Sequence, residues 1–512
     1  MASLSRWLQR TFQPRLSRQA GQTIAEADHA PQASLLDLLQ IIYKEYSAAI
    51  KQRKGLLYGS EPWVNNSNFI SPIASRLSGE MNQCDASWAT SLPQLIETRN
   101  FGPYHASFAS ALLAAGAEHL LQAGSLMEAT RLAETAFNRN RFDVWVQRVL
   151  LNCRAHLNGD LASIEDTEAW LKTRFCGNPF EKLETTTESQ IAVCCPSWLP
   201  VVVGSFEEGD VANFSNSEPM NQIRESILDG SFRHCSRIHC PKITQRELPA
   251  RDDVNIGTYQ ARTFPRDVVF SHDPSCNLSC PSCRKTLAIV PKSEQDRFDS
   301  VSGSLLPLML NADTVHICGS GDPIASTHFR SLLKSYSVDP RAHRNILLQT
   351  NGVLCDQRAW DDLGLAGLVK TVMVSLDAAR EETYNYTRRG GDWRRVLKNV
   401  QFLCGLKSSG SIDQLYLLFV VQGMNYREMT EFVEMGKLYK ADKVIFQAIS
   451  NWGTYTEAEF AKHNIFSFEH AEHSDFVRML NNEVFDDPIV DLHGIGIYRR
   501  TTGLEEARAV PA

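Results

Sequence analysis

From about Arg266 onward the sequence alternates short β-type apolar runs with helix-sized gaps: 268–270, 315–317, 346–348, 372–374, 415–421 and 444–446. Strands separated by a helix's worth of chain are not hairpin partners; the crossovers leave them parallel, as βαβ units. The predicted fold class is therefore α/β, an open sheet or a partial (βα)6 TIM-like barrel over 260–450. In both architectures ligands collect beyond the carboxyl ends of the strands. The chemistry should follow each run.

The residues at those ends are small, polar and rich in thiols. The first run leads into Ser275-Cys276-Asn277-Leu278-Ser279-Cys280-Pro281-Ser282-Cys283, and the second into Cys318-Gly319-Ser320-Gly321-Asp322-Pro323. The third meets Gln349-Thr350-Asn351-Gly352 and the fourth Ser375-Leu376-Asp377. Three cysteines spaced Cys-x3-Cys-x2-Cys within eight residues aim three soft thiolates at one centre, which selects an iron–sulfur cluster or zinc over hard cations. A structural zinc site is closed by four ligands, so His272 or a distant residue would have to complete it. A cubane cluster held by three cysteines keeps one iron open.

This loop resembles the signature of the radical S-adenosylmethionine (radical SAM) superfamily, and the likeness spans 266–452. Gly319-Ser320-Gly321-Asp322-Pro323 is similar to that superfamily's Gly-Gly-Glu-Pro element, with Ser320 interrupting the first pair and Asp322 replacing Glu. The resemblance implies backbone carbonyls that accept from the cofactor's amino group. Ser375-Leu376-Asp377-Ala378, followed by Thr383-Tyr384, Arg388, Gly390-Gly391, Trp393 and Val396-Leu397-Lys398-Asn399, is similar to the strand-four segment of the branch that includes peptide-modifying and anaerobic maturase enzymes. It implies that Ser375 reaches the ribose or carboxylate and that Arg388 pairs with the methionyl carboxylate, fork to carboxylate.

On this reading Cys276, Cys280 and Cys283 carry a [4Fe–4S] cluster that binds S-adenosylmethionine. The cofactor-binding candidates are Gly319, Ser320, Gly321, Asp322, Pro323, Asn351, Ser375, Asp377 and Arg388. The resemblance further implies reductive cleavage of the cofactor to a 5'-deoxyadenosyl radical, hydrogen abstraction from a substrate, and an electron donor such as flavodoxin or ferredoxin.

Cysteine placement points to a second centre. Eight of the thirteen cysteines fall within 176–283. Cys176, Cys194, Cys235 and Cys240 form a group of four in a loop-rich stretch, 174–250, that resembles half of a SPASM or twitch domain. Such modules carry auxiliary iron–sulfur clusters beside radical SAM cores. Here Ser189 stands where Gly usually precedes the second cysteine, and the module precedes the core instead of following it. A second [4Fe–4S] cluster is the expectation and a four-thiolate zinc knuckle the alternative; Cys195 could replace Cys194.

Upstream, 35–173 reads as α-helical, with apolar residues recurring at three and four. Residues 117–140 read as a helix, a Gly124 turn and a second helix, resembling a tetratricopeptide (TPR-like) hairpin, and 142–157 as the next helix. Residues 1–34, with Arg6, Arg10, Arg15 and Arg18, read as a disordered basic arm. Residues 451–512 read as a capping extension whose His463, His470 and His473 are read first as exposed loop histidines, with metal ligation the lesser alternative.

The balance of 52 basic against 59 acidic residues, a charge of −7, offers no field for polyanions and argues against nucleic acid. No apolar run approaches the ~20 residues that span a bilayer, which argues against a membrane. Thirteen cysteines without a secretory signal predict a reducing, cytoplasmic setting. The expected substrate is a peptide. The alternatives are a small molecule (a sugar, aminocyclitol or amino-acid-like acceptor), including aminocarboxypropyl transfer, and, outside enzymology, a helical-repeat scaffold with structural zinc.

Overall fold

The computed structural model describes residues 35–52, 87–102, 105–140, 143–187, 190–196, 198–199, 201–206, 217–260, 264–318, 320–467 and 469–500. The arm expected over 1–34, Ser189 and Gly319 lie outside them.

One sheet organises the chain. Its ten strands are β1 (Lys182–Thr185), β2 (Gln190–Ala192), β3 (Gly204–Ser205), β4 (Asp267–Phe270), β5 (Thr314–Ile317), β6 (Ile346–Thr350), β7 (Val369–Ser375), β8 (Gln414–Val421), β9 (Lys443–Ala448) and β10 (Val490–Asp491). They run in the order β10-β9-β8-β7-β6-β5-β4-β1-β2-β3. Strands β4 to β9 are the six predicted ones, every neighbouring pair parallel. The crossovers carry helices Lys292–Asn311, Thr327–Ser337, Gln357–Asp362, Trp393–Ser408 and Met429–Leu438. Strands covered on both faces read as continuous apolar runs, as Leu415, Leu417, Leu418, Phe419 and Val421 of β8 do, all buried.

The sheet extends beyond those six at both edges. At one, β10 pairs in parallel with β9. At the other, β1 lies parallel to β4 in register Lys182↔Asp267 to Thr185↔Phe270, and β2 and β3 follow antiparallel. The upstream cysteine-rich stretch thus enters the main sheet directly.

The region ahead of it is helical: α1 (Leu35–Gln52), α2 (Ser87–Thr98), α3 (His105–Gln122), α4 (Leu126–Arg139), α5 (Val144–Asn158) and α6 (Leu161–Lys172). Helices α3 and α4 turn at Gly124, whose φ of +82° suits a residue without a Cβ. Asp143 starts α5 by accepting from the amides of Trp145 and Val146, a side-chain cap for otherwise orphaned donors. Polar bolts join this layer to the cysteine-rich stretch. Ser236 Oγ donates to Gln147 Oε1 of α5 at 2.6 Å. Arg237, its side chain 3% exposed, pairs with Glu168 of α6 at 2.9 Å and donates to the carbonyls of Phe232, Cys235 and Ser231. No helix among the described residues is long and apolar enough to cross a membrane.

Candidate active site at the strand ends

The cysteine loop is anchored before it begins. Beyond β4, Ser271 Oγ donates to the Thr185 carbonyl of β1 at 2.7 Å. His272 is fully buried, 2.7 Å from Thr185 Oγ1 and 3.0 Å from His328 Nε2. Both ring nitrogens are therefore engaged away from the loop, so His272 does not complete the cysteine trio. Asp273 accepts from the Ser275 amide at 2.8 Å and from Ser326 Oγ at 2.5 Å; Ser326 also caps helix Thr327–Ser337 through the Phe329 amide. Within the loop the Cys283 and Arg284 amides both donate to the Cys280 carbonyl at 2.9 Å, and the Leu278 amide donates to Cys276 Sγ at 3.4 Å.

The neighbouring strand ends grip this loop. A Cβ on Gly321 would collide with the carbonyl oxygens of Ser275 and Asp273. The glycine is a close-approach position for the loop backbone. The Asp322 amide donates to the Ser275 carbonyl at 2.8 Å. Its carboxylate accepts from the Ile324 and Ala325 amides, from Thr350 Oγ1 at 2.7 Å and from the Asn351 amide at 2.8 Å. Asp322 is thus a tie between two strand ends, a role its replacement of Glu did not disclose. Burial pushes its carboxyl pKa up. Asn351 Nδ2 donates to Asn277 Oδ1 at 2.9 Å and lies 3.8 Å from Cys276 Sγ. Pro323 follows in the same turn, and Ser375 is the last residue of β7.

Arg388, expected to pair with a cofactor carboxylate, has a carboxylate partner within the protein. It is partly buried, with Nη2 2.8 Å from Asp377 Oδ2 and Nη1 4.0 Å from Cys280 Sγ. Asp377 takes a left-handed backbone, φ 57°, and accepts from the Val420 amide at 2.8 Å. Burial raises its pKa and the Arg388 cation opposes that rise. Arg388 and Asp377, both expected to face a cofactor, hold each other. The Arg388 Nε is nevertheless buried with no partner among the described residues.

Two residues outside the expected set complete the loop. Arg284 donates to the carbonyls of Pro274 and Ser320 and lies 3.3 Å from Cys283 Sγ. Arg389 donates to Ser279 Oγ at 3.1 Å, and its carbonyl accepts from the Ser279 amide. The adjacency of Arg284 to the last cysteine was the available signal.

The upstream cysteines also gather. Cys194, Cys176 and Cys240 each raise the pKa of the Cys235 thiol, though burial is the larger cause. Burial likewise pushes Cys176 to about 11 and Cys240 to about 12. Asn178 Nδ2 stands 3.6 Å from Cys194 Sγ, whereas Cys195 lines the cavity described next. No three ligand-type side chains among the described residues close on a single ion; a cube instead spreads its cysteines over separate irons. The histidines downstream do not form a group. His463 stacks between Tyr386 and Tyr455, His470 reaches the Lys462 carbonyl, and His473 the Ile465 carbonyl.

Beside the cysteine loop lies a cavity of about 350 Å³. Cys280 and Cys283 wall it on one side with Asp377 and Arg388, while Cys195 and Trp198 face it from the upstream stretch. Phe137 of α4, Gln447 of β9, Trp452 and His493 complete much of the rim.

Residues 271–436 match the family model described as the Radical SAM superfamily. Among curated proteins, the GTP 3',8-cyclase of Alkaliphilus metalliredigens (strain QYMF) is 29% identical over 182 residues, 34% of this chain and 54% of the relative. That of Clostridium botulinum (strain Hall / ATCC 3502 / NCTC 13319 / Type A) is 27% identical over 173 residues, 32% and 50%. The chain spans about half the length of these curated relatives. Similar solved structures include Streptococcus suis SuiB bound to precursor peptide SuiA, 15% identical over 54% of this chain and 61% of that one, TM-score 0.32. Another is anSMEcpe with bound AdoMet, 19% identical over 36% and 50%, TM-score 0.27.

Proposed function

We propose that this chain is a radical SAM enzyme whose substrate occupies the cavity beside the cysteine loop. The cavity carries the reading: Cys280 and Cys283 of the loop, the Asp377–Arg388 ion pair, and Cys195 and Trp198 of the upstream stretch line one space. Cys276, Cys280 and Cys283 would hold a [4Fe–4S] cluster, and the unpartnered Arg388 Nε fits the carboxylate of S-adenosylmethionine. When bound, that pair supplies one-electron cleavage of a carbon–sulfur bond and, with it, hydrogen abstraction from unactivated carbon. The chain's own residues position and shield: Gly321, Asp322 and Arg284 hold the loop in place, and Trp198 walls the cavity. Cys176, Cys194, Cys235 and Cys240 would hold a second [4Fe–4S] cluster, and a flavodoxin or ferredoxin would deliver the electron.

The proposed substrate is a peptide segment. A small molecule is the second reading, favoured by a cavity volume at the small end of ligand pockets. The test is anaerobic reconstitution with iron and sulfide, then S-adenosylmethionine and dithionite with peptide or small-molecule pools. Brown protein, about eight irons per chain and 5'-deoxyadenosine are expected. Replacing Cys276, Cys280 and Cys283 together with Ala should abolish nucleoside formation; its persistence would falsify the reading. A different nucleoside by-product would identify aminocarboxypropyl transfer, and a colourless zinc protein the scaffold.

A further inference from the structure

Strand β10 ends on the same rim as the cysteine loop because it runs parallel to β9. Two residues past it, His493 lines the cavity with a left-handed backbone, φ 43°, a conformation unfavourable to any residue with a Cβ. Such outliers persist only where the surroundings over-determine them. Here the His493 amide donates to Asp491 Oδ1 at 2.9 Å and the Ile495 amide to the Leu492 carbonyl at 2.8 Å. The Asp491 carboxylate is fixed in turn, accepting from Gln245 Nε2 at 3.2 Å with Lys443 Nζ 3.7 Å away. His493 Nε2 lies 3.8 Å from Asp491 Oδ2, beyond hydrogen-bond length but close enough for the carboxylate to steady a cation.

No hydrogen bond from a described residue reaches Nδ1, and the side chain keeps 23% of its surface exposed. Burial lowers the imidazole pKa; Asp491 and Glu247 oppose this and Lys443 adds to it. The ring is therefore neutral near neutral pH and able to receive a proton.

We infer that His493 is a proton acceptor for the substrate in this cavity, with Asp491 as its positioning residue. Its free nitrogen takes the proton of a substrate N–H, O–H or S–H group, and Asp491 stabilises the imidazolium formed. The inference rests on the cavity being the substrate chamber, which the Proposed function assigns.

The test uses the full-length reconstituted protein, diethyl pyrocarbonate as the probe, and peptide mass mapping across pH. His493 should be modified in the native protein, with a midpoint below that of an ordinary imidazole. Asp491→Asn should move that midpoint further down, and Asp491→Glu should restore it. An unmodified His493, or a midpoint indifferent to Asp491→Asn, overturns the inference. Labelling needs no turnover, so absent cofactor cleavage in the same preparation would count against the enzyme reading alone.

Discussion

Gly321 is a single position on which the placement of the cysteine loop depends. The sequence shows it as part of a Gly-x-Gly turn; the structure shows loop carbonyls where a Cβ would stand. Gly321→Ala should cost about 1–3 kcal/mol, the usual penalty of overpacking, and reduce iron bound per chain in a reconstitution assay. Arg388 poses the opposite problem, a partly buried cation whose loss strands the buried Asp377. Arg388→Ala should lower unfolding free energy by about 3–5 kcal/mol, the cost of an unpaired buried charge. Denaturant titration measures it, and Arg388→Lys should recover only part, since one ammonium cannot reproduce the fork.

At the level of elements, the loop-rich stretch is held by more than its cysteines. Arg237 reaches three carbonyls and a carboxylate of α6 at once. Arg237→Ala leaves those acceptors unsatisfied, and each costs about 1–3 kcal/mol when buried. The expected outcome is a large fall in melting temperature together with loss of order near Cys235, read by amide hydrogen exchange. Strand β5 carries a titration of its own. Burial is the main reason His316 titrates at about 4, with Lys182 adding to the effect. Folding lowers its proton affinity, so below about pH 6.5 the unfolded chain binds more protons and stability falls as pH drops toward 4. The loss is bounded at about 3 kcal/mol, and His316→Gln should flatten the pH dependence of the melting temperature over that window.

Across the whole molecule, segments far apart in sequence meet at one cavity, among them α4, the upstream Cys195 and Trp198, the loop after β4, and the chain after β10. The helical layer and the cysteine-rich stretch are coupled through Arg237 and Ser236, and Phe137 makes the helical layer a wall of the site as well as a neighbour. Phe137→Ala in α4 should then alter substrate-dependent nucleoside formation while leaving the iron content of the protein unchanged. Iron analysis alongside the nucleoside assay separates the two, and an equal loss of both would remove α4 from the site.

Local periodicity and cysteine spacing made six parallel strands, the helical region and the thiol-bearing loop legible, because period and soft-ligand spacing are properties of short stretches of chain. Strands β1 and β10 escaped that reading: they are short, and what makes them strands is pairing with β4 and β9, over eighty and over forty residues away. For the same reason the partner of Arg388, the four bonds of Asp322 and the place of His493 were invisible in one dimension. Residue types and spacing determined which chemistry this chain is able to host; long-range contact alone decided which of those groups share a chamber and which are occupied in holding it together.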